Sequence, residues 1–262
     1  MKKLALIFSF LFILIGCGGG GGSSNKFVAI NQANLNDILA TYYSSLDSSY
    51  SIIYYYFNLA PYKYNTNDGS YRCSDGGTYS VATKGNQKVF EYNSCRTSNM
   101  RIRTPITLNG TVKMSNSGLH KEFIDLLLTK KYSTKFNGTV DYKKSNNIEY
   151  YKLNIKIMYN NKAGVELQGG VYEYKYDYNN YTTTQSINTT ATSSKLNGNI
   201  KIETISQINK KYKCPTSGEV KISGDKDYLN IKYRSSMNID VYLNGDNSVI
   251  TSFNDCGDFP KY

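Results

Sequence analysis

The chain has 262 residues, of which 40% are hydrophobic and 19% are charged, so it can bury a core and is not a disordered polyampholyte. Its single histidine, His120, excludes any site that needs two histidines. The formal net charge of +11 suits an anionic partner, but the 26 tyrosines and the many lysines and asparagines are equally typical of an AT-rich genome.

The first residues have the pattern of an export signal. Residues 1–3 carry two lysines, and the apolar run at 4–15 is too short to cross a bilayer as a helix. The run ends in Leu14-Ile15-Gly16-Cys17, which resembles the lipobox of bacterial lipoproteins. The alternative interpretation is an ordinary secretory signal followed by an incidental cysteine.

The resemblance implies that residues 1–16 are a lipoprotein signal peptide, removed before Cys17. In that family the cysteine carries a diacylglyceryl group and an acylated amine, often palmitate, which hold the protein on a membrane. Position 18 is Gly18 and not the aspartate of inner-membrane lipoproteins, which implies lipid anchoring in the outer membrane, on either face. Residues 17–26 would form a Gly/Ser tether with a reach of roughly 15–18 Å.

The other four cysteines are Cys73, Cys95, Cys214 and Cys256. In an oxidising compartment an even number predicts two disulfides, with three alternative pairings. Cys73 and Cys214 are each followed by Gly four residues later, whereas Cys95 and Cys256 each end an aromatic-Asn-x-Cys segment. This repeat favours the pairs Cys73–Cys95 and Cys214–Cys256. A redox or metal site is the alternative, although no Cys-x-x-Cys occurs.

The dipeptide Asn-Gly recurs at 109–110, 137–138, 197–198 and 244–245. Asn-Gly favours a two-residue hairpin turn, but inside an alternating run it equally fits a β-bulge. Together with the Cys–Gly repeats, these motifs make the mature part loosely similar to uncharacterised β-rich outer-membrane lipoproteins. That resemblance implies no catalytic residues.

Periodicity divides the chain into a helix and a long series of strands. Residues 34–57 carry apolar side chains at helical spacing, whereas from 71 onward apolar and polar residues alternate in short runs. Residues 27–262 are therefore predicted to form one mainly β domain, a long antiparallel meander forming a barrel or sandwich with one N-terminal helix.

The pattern is ambiguous in two segments and clear in a third. Residues 119–131 fit either a helix or a buried strand, and the strand is favoured. Residues 181–194, rich in Thr, Ser and Asn, predict an exposed edge strand or a mobile loop, whereas 196–203 alternate as a strand throughout.

Four tyrosines alternate along one run, so that Tyr172, Tyr174, Tyr176 and Tyr178 fall on one face of a strand. Either they fill the core and send their hydroxyls to its rim, or they form an exposed binding face that stacks on sugars or peptides. They are the candidate binding face.

No catalytic motif stands out, since Gly-x-Ser-x-Gly is absent. The carboxylate pair of a glycoside hydrolase could come from Asp125, Glu149 and Glu166, but no sequence pattern distinguishes these residues from the other acidic residues as catalytic candidates. Residues 244–248 resemble the start of a calcium loop without its closing Glu, so a polar hairpin turn explains them equally well. We expect no enzyme, metal or cofactor.

These observations favour an envelope lipoprotein whose non-catalytic β domain binds a partner or scaffolds the envelope. The alternatives are a surface adhesin or glycan-binding protein that uses exposed tyrosines, and an envelope hydrolase. The expected partners are the membrane, through the lipid, and an unidentified envelope protein or glycan. No nucleic-acid partner is expected.

Overall fold

The computed structural model describes residues 26–51, 65–99, 102–129, 133–160, 164–211, 214–235, 238–246 and 248–260. The export signal, Cys17 and most of the tether therefore lie outside the described residues, as does the second part of the expected helix, 52–57.

The described residues form one helix and fourteen strands. The helix, α1, spans Leu35–Ser51. The strands, in chain order from β1 to β14, are Gly69–Arg72, Thr78–Lys84, Gln87–Asn99, Ile102–Ser115, His120–Thr129, Ser133–Ser145, Ile148–Asn160, Glu166–Asp177, Thr182–Thr192, Ile200–Lys211, Cys214–Ser223, Tyr228–Tyr233, Ile239–Leu243 and Val249–Phe253.

All the strands belong to one sheet in which each pairs antiparallel with the next along the chain. This confirms the expected mainly β meander with one helix. The strands β1 and β14 are its two edges and do not pair with each other in the described part of the chain, so the sheet is open and neither of the two expected closures, barrel or sandwich, is singled out. Within the same residues, no helix is both long enough and apolar enough to cross a membrane.

Alternation gives the sheet a buried inner face and a solvated outer face. In β7, Tyr151, Leu153, Ile155 and Ile157 are buried, while the residues between them are exposed. Cross-strand ion pairs cover the outer face, as where Lys156 lies 2.9 Å from the Glu166 carboxylate. Such exposed pairs contribute at most about 1 kcal/mol each, so burial of the inner face is the main stabilising term.

Two of the Asn-Gly motifs lie inside strands, opposite β-bulges, and not at hairpin turns. The Asn109 side-chain oxygen accepts a hydrogen bond from the Ser94 backbone N–H at 2.7 Å, and Asn137 does the same for Asp125 at 2.7 Å. Ser94 and Asp125 have φ angles of +48° and +47°, and the register of their strand pairs shifts there. The asparagine amide therefore supplies the acceptor that the interrupted ladder leaves missing.

The glycine that follows each asparagine lets two backbones approach closely. A Cβ on Gly110 would overlap the Asp125 carbonyl oxygen, and one on Gly138 would overlap that of Asn154. Both glycines also have positive φ, +109° and +126°, which other residues rarely adopt. Bulges and glycines aligned on neighbouring strands bend a sheet, and here they bend it around its inner face.

The helix lies against this inner face. Ile38, Leu39 and Tyr42 have no exposed surface and join the same core as the strands. The Tyr42 hydroxyl lies 2.7 Å from that of Tyr233 in β12, and the hydroxyl oxygens of Thr41 and Ser193 are 3.0 Å apart. These buried hydrogen bonds fix the position of α1 on the sheet.

The segment before the helix is fastened at one end of the sheet. Val28 donates its N–H to Asn199 at 3.0 Å and accepts a hydrogen bond from Asp225 at 2.8 Å. We call this end, formed by residues 193–199 and the turn 224–227, the entry end. The opposite end, where the turns 146–147 and 178–181 meet, we call the tyrosine end. Strand β9 connects the two and is about 35 Å long.

Both expected disulfides are confirmed. Cys73, before β2, bonds to Cys95 in β3, and Cys214, the first residue of β11, bonds to Cys256 after β14. The Cys73–Cys95 bond joins neighbouring parts of the meander, whereas the Cys214–Cys256 bond reaches from β11 past two intervening strands to the segment after β14. Both bonds join a cysteine that is followed by Gly to a cysteine that ends an aromatic-Asn-x-Cys segment, which is why the repeated segments could identify the partners.

Of the ambiguous segments, 119–131 contains the strand β5, as favoured. The expectation for 181–194 was wrong, because this segment contains β9, an interior strand paired with both β8 and β10. Its Ile187, Thr189 and Ala191 are buried despite the polar composition. The expected strand at 196–203 begins only at Ile200, because the preceding residues hold the entry segment.

Candidate functional site

The most distinctive group of side chains lies on the inner face at the tyrosine end. Register places Tyr142 opposite Tyr151 and Tyr151 opposite Tyr174, while one step further out Glu149 lies opposite Tyr176. With Tyr178 at the end of β8, these tyrosines form what we call the tyrosine cluster, namely Tyr142, Tyr151, Tyr174, Tyr176 and Tyr178.

Glu149 is the centre of the cluster. Its two carboxylate oxygens each accept a hydrogen bond at 3.2 Å, one from the Tyr142 hydroxyl and one from the Tyr151 hydroxyl. Lys144, opposite Glu149, lies 3.3 Å from the same carboxylate, and only 17% of the Glu149 side chain is exposed. A mostly buried charge is thereby held by three donors, which is the arrangement that burial of a carboxylate requires.

The aromatic rings pack on one another around this centre. The ring centroids of Tyr142 and Tyr151 are 4.8 Å apart, and those of Tyr176 and Tyr178 are 4.5 Å apart with their planes nearly perpendicular. The Lys144 ammonium lies 5.5 Å from the Tyr178 ring centroid, within the range of a cation–π contact. Burial, together with the nearby Glu149 charge, raises the pKa of Tyr151, so this phenol stays protonated as a hydrogen-bond donor.

The cluster reaches the surface through an exposed rim, which we define as Leu119, Tyr178 and Tyr181. These side chains are 45%, 43% and 68% exposed, and they belong to two turns at the tyrosine end. The Leu119 carbonyl accepts the N–H of Tyr142 at 2.7 Å, which fastens the rim to the cluster. Exposed aromatic and aliphatic side chains grouped in this way are typical of protein interfaces.

The run of four tyrosines is not an exposed binding face. Tyr172 and Tyr174 are only 3% and 8% exposed, Tyr176 is half-buried, and exposure reaches 43% only at Tyr178. The interpretation as a binding face was therefore wrong for the first two, because the face they share is the inner face of the sheet. The core interpretation holds there, and the run reaches solvent only where the strand ends.

Glu149 and Glu166 are too far apart to form a catalytic pair. Glu149 lies opposite Tyr176, whereas Glu166 lies opposite Met158, nine residues further along β7 and about 30 Å away. A glycoside hydrolase needs its two carboxylates within roughly 10 Å of each other. Asp125 is exposed at its bulge and pairs with Lys135 at 2.9 Å.

The other residues considered from the sequence have ordinary surface roles. His120 lies 2.6 Å from Asp141, and both side chains are substantially exposed. In the segment 244–248, Asn244 accepts the N–H of Tyr228 at 2.9 Å and donates to Asp227 at 2.8 Å, as in a polar hairpin turn. Throughout the described residues, the single cluster of metal-binding side chains contains Cys214 and Cys256, whose sulfurs are joined in a disulfide.

Sequence reasoning missed the part that Glu149 plays in the cluster, although a signal for it was present. Asn146-Asn147 is a two-residue turn with φ angles of +46° and +58°, the conformation that type I′ hairpins require. A turn there pairs Lys144 with Glu149 and Tyr142 with Tyr151, as observed.

Comparison with known proteins adds no identification. No protein family, curated protein or solved structure matches this chain.

Proposed function

We propose that the chain is a lipid-anchored envelope lipoprotein whose β domain is tethered at the entry end and binds an envelope protein through the tyrosine end. The observation that carries the proposal is the arrangement of these two ends. The entry segment leads back over nine residues from Lys26 to Cys17, the lipidation residue that the lipobox implies.

The opposite positions of the entry end and the tyrosine end determine which surface is available to a partner. A lipid at Cys17 with a tether of roughly 15–18 Å keeps the entry end near the bilayer. The tyrosine end, about 35 Å away along β9, then points away from the membrane.

The chemistry of the exposed rim suits a protein partner. Tyr178 and Tyr181 combine large apolar rings with hydroxyls that can still hydrogen-bond, and Leu119 adds an aliphatic contact beside them. The cluster beneath holds Tyr178 in place through Tyr176 and Lys144. Little side-chain entropy is therefore lost when a partner binds.

The two alternatives have less support. An adhesin based on the tyrosine run would need Tyr172 and Tyr174 at the surface, and both are buried. A hydrolase based on Asp125, Glu149 and Glu166 would need two of them to be neighbours, and the register places Glu149 and Glu166 about 30 Å apart.

The anchor is tested by labelling cells that express the full chain with radioactive palmitate. We expect label in the wild type and none in Cys17→Ser, which should move from the membrane to the soluble fraction. Membrane retention of Cys17→Ser without label would contradict the lipid anchor.

The partner is tested by placing a photo-crosslinking phenylalanine analogue at Tyr181 in intact cells. The control position is Met158, which is 44% exposed near the entry end of β7. We expect one discrete crosslinked protein at Tyr181 and none at Met158. Equal crosslinking at both positions, or crosslinked glycan without protein, would refute a protein partner at the tyrosine end.

A further inference from the structure

The four Asn-Gly dipeptides share a chemically labile arrangement of groups. The backbone nitrogen of the glycine can attack the side-chain carbonyl carbon of the asparagine, because glycine has no Cβ to obstruct the approach. The amide nitrogen takes up the proton of that N–H and leaves as ammonia, and a succinimide ring remains. Water then opens the ring to aspartate or isoaspartate. The attack requires an asparagine amide that can turn toward the glycine and an N–H that no acceptor holds.

Three of the four dipeptides are held in positions that oppose this attack. Asn109 and Asn137 each accept a backbone N–H at 2.7 Å, and the glycines that follow them are paired with neighbouring strands. Asn244 is held at both ends of its amide, by the Tyr228 N–H at 2.9 Å and by the Asp227 carboxylate at 2.8 Å. Each of these asparagines must lose hydrogen bonds before its side chain can reach the glycine nitrogen.

Asn197 and Gly198, at the entry end, lack these restraints. The Asn197 side chain is exposed, and within the described part of the chain neither its amide nor the Gly198 N–H makes a hydrogen bond. Both residues lie in the bend that precedes β10, outside the ladder of the sheet. Reaction at this dipeptide therefore requires no strand pair to open.

We propose that Asn197 is a site of spontaneous deamidation, on the basis of its unrestrained amide and the unbonded N–H of Gly198. The reaction is intramolecular, and water is its only co-reactant. The product carries a new carboxylate. In the isoaspartate form the backbone runs through the former side chain and is longer by one methylene. The other three dipeptides have the same two residues, so the difference between the sites comes from the fold.

The change falls where the entry segment is fastened. Gly198 packs so closely on this segment that a Cβ there would overlap the Lys26 carbonyl oxygen. The next residue, Asn199, donates its N–H to the same oxygen at 2.9 Å and accepts the Val28 N–H at 3.0 Å. An additional methylene just before Gly198 shifts Asn199 away from both partners. Isoaspartate at position 197 should therefore release the entry segment from the sheet.

The test is peptide mapping by mass spectrometry after the full mature chain has been kept in mildly alkaline buffer, either folded or in concentrated urea. Electron-transfer fragmentation distinguishes isoaspartate from aspartate. In the folded chain we expect Asn197 to react at least about tenfold faster than Asn109, Asn137 and Asn244, because those three must first break hydrogen bonds. In urea the four rates should become similar.

The release of the entry segment is measured by hydrogen exchange. The Val28 N–H should exchange at least about tenfold faster in the isoaspartate product than in Asn197→Gln kept under the same conditions, since this contact would open locally. The longer glutamine side chain forms the cyclic intermediate far more slowly, which makes this variant the matched control.

Two results would overturn the deamidation site: a rate at Asn197 no higher than at the three held asparagines, or conversion of Asn197 in urea with none in the folded chain. Unchanged exchange at Val28 would overturn the release of the entry segment. The reaction involves neither the lipid nor a partner, so its failure leaves the proposed function unaffected.

Discussion

Replacement of Gly138 by alanine tests whether the close approach of backbones at the bulges supports the bent sheet. Gly138 has a φ of +126°, and a Cβ there would overlap the Asn154 carbonyl oxygen. Gly169 is a matched control, because its φ is +93° and its Cβ would meet nothing within 4 Å. The two variants therefore share the cost of an unfavourable φ and differ in the overlap.

The unfavourable φ costs about 1–3 kcal/mol in either variant. Overlap with backbone forces the strands apart, which adds about 1–3 kcal/mol for Gly138→Ala. We expect urea unfolding followed by far-ultraviolet circular dichroism to show Gly138→Ala less stable than Gly169→Ala by about 2 kcal/mol. In thermal unfolding this difference corresponds to a Tm lower by roughly 4–8 °C.

The result that would refute this reasoning is an equal loss of stability in the two variants, or a greater loss in Gly169→Ala. Either result would mean that the strands at Gly138 separate without cost. The alignment of Asn-Gly motifs with bulges would then not be what determines the bend.

Three further predictions concern the core. Tyr42→Phe should lower the free energy of unfolding by about 1 kcal/mol, because it removes the hydrogen bond to Tyr233. Burial raises the pKa of Tyr42 and Tyr233, so the unfolded chain loses these protons first and wild-type stability should fall as pH rises above about 10. Urea titrations across pH would show both effects. Burial lowers the pKa of Lys121 to about 7, so the contribution of Lys121 to stability declines as pH falls from about 10 toward 7. At pH 7, Lys121→Met should therefore be more stable than the wild type by roughly 2–4 kcal/mol. The same titrations should show this difference vanish at high pH. Replacement of both Cys214 and Cys256 by serine should lower the free energy of unfolding by about 4 kcal/mol, because their disulfide closes a loop of 42 residues. Thermal unfolding would measure this loss of stability, and a loss below about 1 kcal/mol would contradict the loop-entropy argument.

The sequence predicted most of what depends on local pattern. The alternation from residue 71 onward predicted the antiparallel meander, because one face of each strand is buried and the other is solvated, as in Tyr228–Tyr233 and Ile239–Leu243. The repeated segments around the cysteines identified both disulfides, because each bond joins a cysteine followed by Gly to a cysteine that ends an aromatic-Asn-x-Cys segment.

What the sequence could not determine depends on neighbours that are distant along the chain. The Asn-Gly dipeptide is a bulge partner at 137–138 and a hairpin turn at 244–245, and only the strand beside it distinguishes the two. Residues 182–192 read as polar and exposed, yet they are covered on the inner face by α1, whose Thr41 meets Ser193. Similarly, Tyr172 and Tyr178 share a strand face and differ only in their distance from the sheet end.

The position of the helix has a consequence for the order in which the chain folds. Every strand pairs with the next one in sequence, so the sheet can grow hairpin by hairpin through short loop closures. The helix contacts, by contrast, join residues 152 and 191 positions apart, from Thr41 to Ser193 and from Tyr42 to Tyr233. The first element to be synthesised is therefore the last to be completed, and its apolar side stays uncovered until the final strands arrive. An N-terminal fragment that ends before β12 would lack Tyr233 and leave Tyr42 without its buried partner.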